Sequence, residues 1–149
     1  MALLLHIFLT GTEAEAQLNN GKDDPSLFVI RSKKELRKQV RRNKGWQLVD
    51  LNSSIPGIRL QLRYCDTNHF LRKKFYPPTT TTYLLSDAAE KLKHVQNDLQ
   101  QMGLGLLVWD AYRPYSVTVA MWDMVKDERY AASPKTGSGH NRGVAVDCT

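Results

Sequence analysis

With 149 residues, 42% of them hydrophobic, the chain is long enough to bury one core and too short for several, so a single domain is expected. Charged residues make up 24%, which excludes a wholly disordered polyelectrolyte, and no segment reaches the ~20 apolar residues that cross a bilayer as a helix. A formal charge of +6 favours anionic partners without choosing among them.

Residues 2–9 are apolar apart from His6, and Ala14-Glu15-Ala16 has the small-x-small form of a signal-peptidase site. No Lys or Arg precedes Lys22, so the usual basic n-region is absent. Residues 1–16 read as the remnant of a secretory signal, the alternative being an unstructured leader. A secretory signal implies a periplasmic or extracellular protein. Residues 17–27 hold Asn19-Asn20-Gly21 and Asp24-Pro25 and read as a linker.

Residues 31–44 carry eight basic side chains against a lone Glu35, an excess larger than that of the whole chain. Aromatic residues do not interleave with these charges, so the stretch reads as a solvated helix face, and no nucleic-acid partner is expected. Ser32-Lys33-Lys34-Glu35 has the form of a capping box. Only Leu36 and Val40 supply an apolar stripe, which predicts a peripheral helix ending at Gly45. Residues 17–45 are therefore read as linker plus peripheral basic helix, and residues 46–149 as the folded domain.

A strand is expected over residues 46–51, followed by the turn cluster Asn52-Ser53-Ser54-Ile55-Pro56-Gly57. Ile58, Leu60, Leu62 and Tyr64 alternate with polar residues, the pattern of a half-buried strand. Residues 66–82 form a loop long enough to suggest function. A helix is predicted over 86–102, capped by Ser86, with Ala88, Leu92, Val95, Leu99 and Met102 on one apolar face and Gly103 as its stop. His94 flanks that face.

Residues 104–109 suit a buried strand that delivers Asp110-Ala111-Tyr112-Arg113-Pro114 at its end. A second amphipathic helix follows, with Val117, Ala120, Met121, Met124 and Val125 inward, then a polar connection over 127–137. The order of elements predicts an α+β domain: a small, mostly antiparallel sheet packed against helices. Cys65 and Cys148 match no zinc or redox spacing and read as two small buried thiols, with a disulfide as the alternative in an oxidising compartment.

The chain closes on Ser138-Gly139-His140-Asn141-Arg142-Gly143-Val144-Ala145-Val146-Asp147-Cys148-Thr149. A straight strand puts residues seven apart on opposite faces, so His140 and Asp147 share a metal only if the backbone bends between them. Gly143 is the expected bend, after which Val144 and Val146 point to the core and Ala145 and Asp147 toward the site. Imidazole plus carboxylate suits zinc, which needs a third protein ligand and an open position for water in a catalytic site. Histidine and aspartate near glycines also occur in ordinary turns.

Three stretches together resemble a known family. The closing stretch resembles the S-x-H-x-x-G-x-A-x-D signature of VanX-type zinc D-Ala-D-Ala dipeptidases. Trp109-Asp110-Ala111-Tyr112-Arg113-Pro114 resembles their W-D-x-Y-R-P segment, and residues 62–70 resemble their L-R-Y-x-x-x-x-N-F strand and loop, with His69 where Asn is usual. The resemblance implies hydrolysis of D-alanyl-D-alanine or a related cell-wall peptide, with one zinc ion held by His140 and Asp147. It implies that Arg113 stabilises the oxyanion of the attacked amide. Asp110 is expected to orient Arg113 or a ligand histidine, and Ser138 and Asp110 are the candidate substrate contacts; a turn role for Ser138 and a purely structural ion pair between Asp110 and Arg113 stay open. Tyr64 or Tyr112 would line the pocket.

The family takes its third ligand and general base from a later Glu-x-x-His, and none occurs in these residues; Glu90 and His94 miss the spacing by one. The chain is accordingly expected to be the N-terminal two-thirds of such an enzyme, incomplete at the C-terminus and weakly active or inactive. The alternatives are a D,D-carboxypeptidase or peptidoglycan endopeptidase of the same zinc group, and a non-catalytic cell-wall binding module.

Overall fold

The computed structural model describes residues 3–5, 28–30 and 32–149. The secretory and linker readings of residues 1–27 lie outside the described residues, except that Leu3–Leu5 (β1) pairs parallel with Phe28–Ile30 (β2).

The basic helix, Lys33–Arg42 (α1), forms where its cap predicts. Ser32 Oγ accepts the Glu35 N–H at 3.1 Å, and no residue of α1 is fully buried. It ends before Gly45. Asn43 caps it, and the Asn43 side chain accepts from the Gly45 N–H, starting a 3-10 turn over Lys44–Trp46. Local side-chain competition for the backbone stops this helix earlier than glycine would.

Leu48–Asp50 (β3) runs into a short helix, Leu51–Ser54 (α2), because the Asp50 carboxylate accepts the Asn52 N–H at 2.8 Å. The alternating stretch from Ile58 contributes only Arg59–Leu60 (β4) to a ladder. A 3-10 turn at Arg63–Cys65 then takes over, and the Tyr64 carbonyl accepts from the Phe75 and Tyr76 amides. The long loop thus folds back on Tyr64 and overrides the strand pattern.

Tyr83–Leu85 (β5), which the sequence leaves unmarked at the end of the loop, pairs antiparallel with β3 and leads straight into Ser86–Gln101 (α3). Ser86 is therefore not the cap. Leu85 holds that position, and the Ser86 amide donates to Gln47 O at 2.8 Å, so the neighbouring chain satisfies it. The buried face of α3 is also rotated from the expected one. Ala89 and Gln96 are buried, Ala88, Leu92 and Leu99 pack on the core, and Val95 and Met102 face solvent. Gln96 goes inside because its Oε1 accepts the Leu106 N–H at 2.8 Å, ordering the chain that enters the next strand.

That strand, Leu107–Asp110 (β6), is the middle of the sheet that carries the site. It pairs parallel with β4 and antiparallel with Asp147–Cys148 (β7), with a register irregularity between Val108 and Asp110. Tyr115–Val125 (α4) follows, burying Tyr115, Thr118 and Met121 while Met124 is exposed. Leu51, Ile55, Ile58, Leu84, Leu106 and Val108 form the main core. A smaller cluster joins Ile30 and Tyr112 to Leu36, Leu48 and Tyr83. The architecture is a single α+β domain. No helix among the described residues is long and apolar enough to cross a membrane.

Both thiols are free, and Cys148 is exposed rather than buried, because β7 is an edge strand at the rim of a cleft.

Candidate metal centre

The site forms where β6 ends and the closing turn crosses it. Gly143 has φ +68°, a conformation natural to glycine and strained for other residues, and its carbonyl accepts the Leu85 N–H at 2.8 Å. A Cβ there would lie 3.1 Å from Leu48 Cδ2 and 3.3 Å from the Leu85 backbone nitrogen. The bend expected at Gly143 is therefore present. The residues just beyond it differ from expectation. Val144 is exposed, and Val146 alone packs on the core, because the ladder of β7 begins only at Asp147.

Three hydrogen bonds stitch this turn to the end of β6. The Arg113 amide donates to His140 O at 3.1 Å, Asn141 Nδ2 donates to Arg113 O at 2.8 Å, and His140 Nδ1 meets Ala111 O at 2.8 Å. Asn141 is completely buried. Its Nδ2 also reaches Thr118 Oγ1 at 2.8 Å, and its Oδ1 accepts the Ser138 N–H at 3.0 Å. Sequence reasoning passed over Asn141, Thr118 and Tyr76. An amide inside a glycine-bounded turn was the available signal for the first; its partners are remote in sequence.

The orientation of His140 has a chemical consequence. A carbonyl oxygen only accepts, so Nδ1 carries the proton and neutral imidazole presents its lone pair at Nε2. Asp147 Oδ1 lies 3.5 Å from that Nε2. Two acceptors face each other, which is favourable only with a cation or a proton between them. Tetrahedral ligands at ~2.1 Å from zinc are ~3.4 Å apart, so the spacing fits.

Arg113 lies alongside. Its Nε and a terminal nitrogen (Nη2) reach Asp110 Oδ2 at 2.9 and 2.7 Å, and Nη2 is 3.6 Å from Asp147 Oδ2. Asp110 and Arg113 are both buried, and the Tyr64 ring covers the guanidinium, 5.2 Å from ring centroid to Cζ. Tyr76, from the long loop, donates to Asp110 Oδ1 at 3.3 Å. Burial works against the charge on Arg113, but the Asp110 carboxylate prevails and raises the guanidinium further above its usual range. Burial pushes the Asp110 carboxyl up against the pull of Arg113; with two N–H groups on Oδ2, ionised is the form the geometry supports. Without a cation, a proton on Nε2 lets His140 donate to Asp147, and that hydrogen bond holds the Asp147 carboxyl below the usual range. With the imidazole neutral, two carboxylates and one guanidinium leave the cluster one negative charge, suited to a divalent cation.

Asp110, His140 and Asp147 offer potential ligand atoms that all lie within 4.8 Å of one another. Asp110 sits on the Nδ1 side of the imidazole, 4.0 Å away, and is engaged by Arg113, so the free lone pair faces Asp147 instead. Ser138 is buried, with Oγ accepting the Asn141 N–H at 3.2 Å. Tyr64 and Asp147 line an open cleft of about 600 Å³ with Arg63, Asn68, His69 and Trp109. Tyr112 is buried on the other side, in the cluster with Ile30. His69 closes its own loop, with Nε2 on Lys73 O at 2.8 Å. His94 is a surface partner of Glu90 on α3.

A peptidase family described as D-ala-D-ala dipeptidase matches residues 44–149, well over half of the chain. The chain belongs to that family. Among curated proteins, the D-alanyl-D-alanine dipeptidase of Escherichia coli is 32% identical over 103 residues, which is 69% of this chain and 53% of the relative. The chain thus spans about half the length of the curated relative it matches. Within this dipeptidase family the assignment covers the whole cluster, from Asp110 to Asp147, and the Tyr64 loop.

Proposed function

We propose that the chain carries the metal-binding and carbonyl-polarising part of a zinc peptidase that hydrolyses D-alanyl-D-alanine in cell-wall metabolism, in the periplasm or outside the cell. The observation that carries this reading is the lone pair of His140 Nε2 facing Asp147 Oδ1 at 3.5 Å, with Arg113 beside it. Membership of the family and the name of the Escherichia coli relative support the substrate.

His140 and Asp147 would hold the zinc. When bound, zinc supplies a Lewis acid and activates a water. The Ala111 carbonyl keeps the proton on Nδ1 and so keeps the Nε2 lone pair on the metal side. Arg113 aims its guanidinium at the oxygen that gains charge when the amide carbonyl is attacked. Asp110 fixes that guanidinium from behind, and Tyr64 packs its face. Ser138 Oγ already accepts from Asn141, so its own proton remains to donate to substrate. No Glu-x-x-His occurs in residues 1–149, so these residues offer the metal two side chains of the expected set.

The test is release of D-alanine from D-alanyl-D-alanine, with and without added zinc, compared with longer stem peptides. Zinc-dependent cleavage of the dipeptide is expected, reduced by roughly a hundredfold or more in Arg113→Met. Cleavage confined to longer peptides would instead make this chain a D,D-carboxypeptidase or endopeptidase. Retention on peptidoglycan with no hydrolysis at all would make it a binding module.

A further inference from the structure

The cleft beside Asp147 holds a second arginine for which the mechanism has no use. Arg63 is half-buried in the turn that follows β4, and its guanidinium lies over the Trp109 ring, 5.3 Å from the centroid. Trp109 stands on β6, immediately before Asp110, so this arginine rests on the same rigid strand that anchors the candidate metal centre.

The two arginines differ in how their charge is met. Arg113 has Asp110 and Asp147. Arg63 has no carboxylate within ion-pair distance among the described residues. Stacking on an indole orients the guanidinium plane and leaves its in-plane N–H fork free, the geometry that takes a carboxylate bidentately. The indole N–H of Trp109 is itself buried and has no acceptor among the described residues, so the donor this wall offers to the cleft is the Arg63 fork. Arg63, Trp109 and Asp147 line one cleft of about 600 Å³, large enough for a dipeptide. A substrate reaching the metal ligand Asp147 thus finds a fixed, unneutralised cation in the wall beside it.

We infer that Arg63 is the carboxylate clamp of this cleft, selecting peptides with a free C-terminal carboxylate. This rests on the dipeptidase reading and adds to it the group that makes the peptide's end a requirement. A hydrogen-bonded charge pair of this kind contributes roughly ten- to hundredfold in affinity over a neutral amide.

Binding tests it without relying on turnover. The full chain, labelled on the tryptophan indole nitrogens, is titrated with D-alanyl-D-alanine and with its C-terminal amide, and the Trp109 N–H resonance is followed. Wild type is expected to bind the free acid at least about tenfold more tightly than the amide. Arg63→Met keeps an apolar stem on Trp109 and should bring the acid's Kd to that of the amide, while Arg63→Lys, which keeps the charge, should retain part of the preference. Equal Kd values for acid and amide in wild type, a preference that survives in Arg63→Met, or no binding of either ligand would overturn the inference. D-alanine release is scored separately. Acid-selective binding that depends on Arg63 without any hydrolysis sinks the dipeptidase reading alone, and hydrolysis of acid and amide at equal rates sinks the clamp alone.

Discussion

Replacing Asn141 with alanine should be the most informative single change outside the candidate metal ligands. The side chain is completely buried and makes three hydrogen bonds, to Arg113 O, Thr118 Oγ1 and the Ser138 N–H. Each is worth about 1 kcal/mol net, and truncation also leaves the Ser138 amide and the Arg113 carbonyl without those partners. The expected loss is about 3–4 kcal/mol, a large share of the 5–15 kcal/mol typical of a domain. Urea unfolding, followed by tryptophan fluorescence, measures it as a lower midpoint at unchanged slope. Because Asn141 ties the His140 turn to Arg113, zinc affinity should also weaken by roughly tenfold or more. A stability loss under about 1 kcal/mol, or unaltered zinc affinity, would refute the idea that this amide holds the two halves of the site together.

Other changes probe single links. Gly143→Ala should cost about 1–3 kcal/mol, since φ is +68° and the new methyl meets Leu48 and Leu85; a neutral substitution would contradict the bend's role. Arg113→Met leaves the buried Asp110 carboxylate unpaired and should destabilise by about 3–5 kcal/mol, most of it recovered by adding Asp110→Asn; simple additivity of the two would contradict the pairing. In the metal-free protein, a proton on Nε2 lets His140 donate to Asp147, and that hydrogen bond holds the Asp147 carboxyl below its ordinary range. That group's stabilisation is full above about pH 4, the unfolded value, and is lost as pH falls through the lower folded value. Asp147→Asn should therefore flatten the acid limb of the stability profile, and an unchanged limb would count against the contact.

Much of the site was legible because its residues travel in short contiguous runs. His140, Gly143 and Asp147 lie within one turn and strand, and Asp110 and Arg113 three residues apart, so local geometry alone brings each set together. What escaped reading depends on partners remote in sequence. Gln96 is inside a helix face that hydropathy assigns elsewhere, because the amide of Leu106 needs an acceptor. Tyr76 reaches Asp110 only because the loop folds back on the Tyr64 carbonyl. The strand pattern through Tyr64 failed for the same reason, and Ser86 lost its cap role when β5 ran straight into α3. Alternation also misplaced Val144, since it assumed a ladder that starts only at Asp147.

The central claim is that His140 and Asp147 would serve as ligands to one divalent metal. Calorimetric titration of the metal-free chain with zinc, at several pH values, tests it most directly. One zinc should bind with the release of protons at low pH, as the cation replaces the proton on Nε2. Single changes His140→Ala and Asp147→Asn should each abolish that binding. Zinc binding that persists in both variants, or that shifts no protons in wild type, would contradict the account.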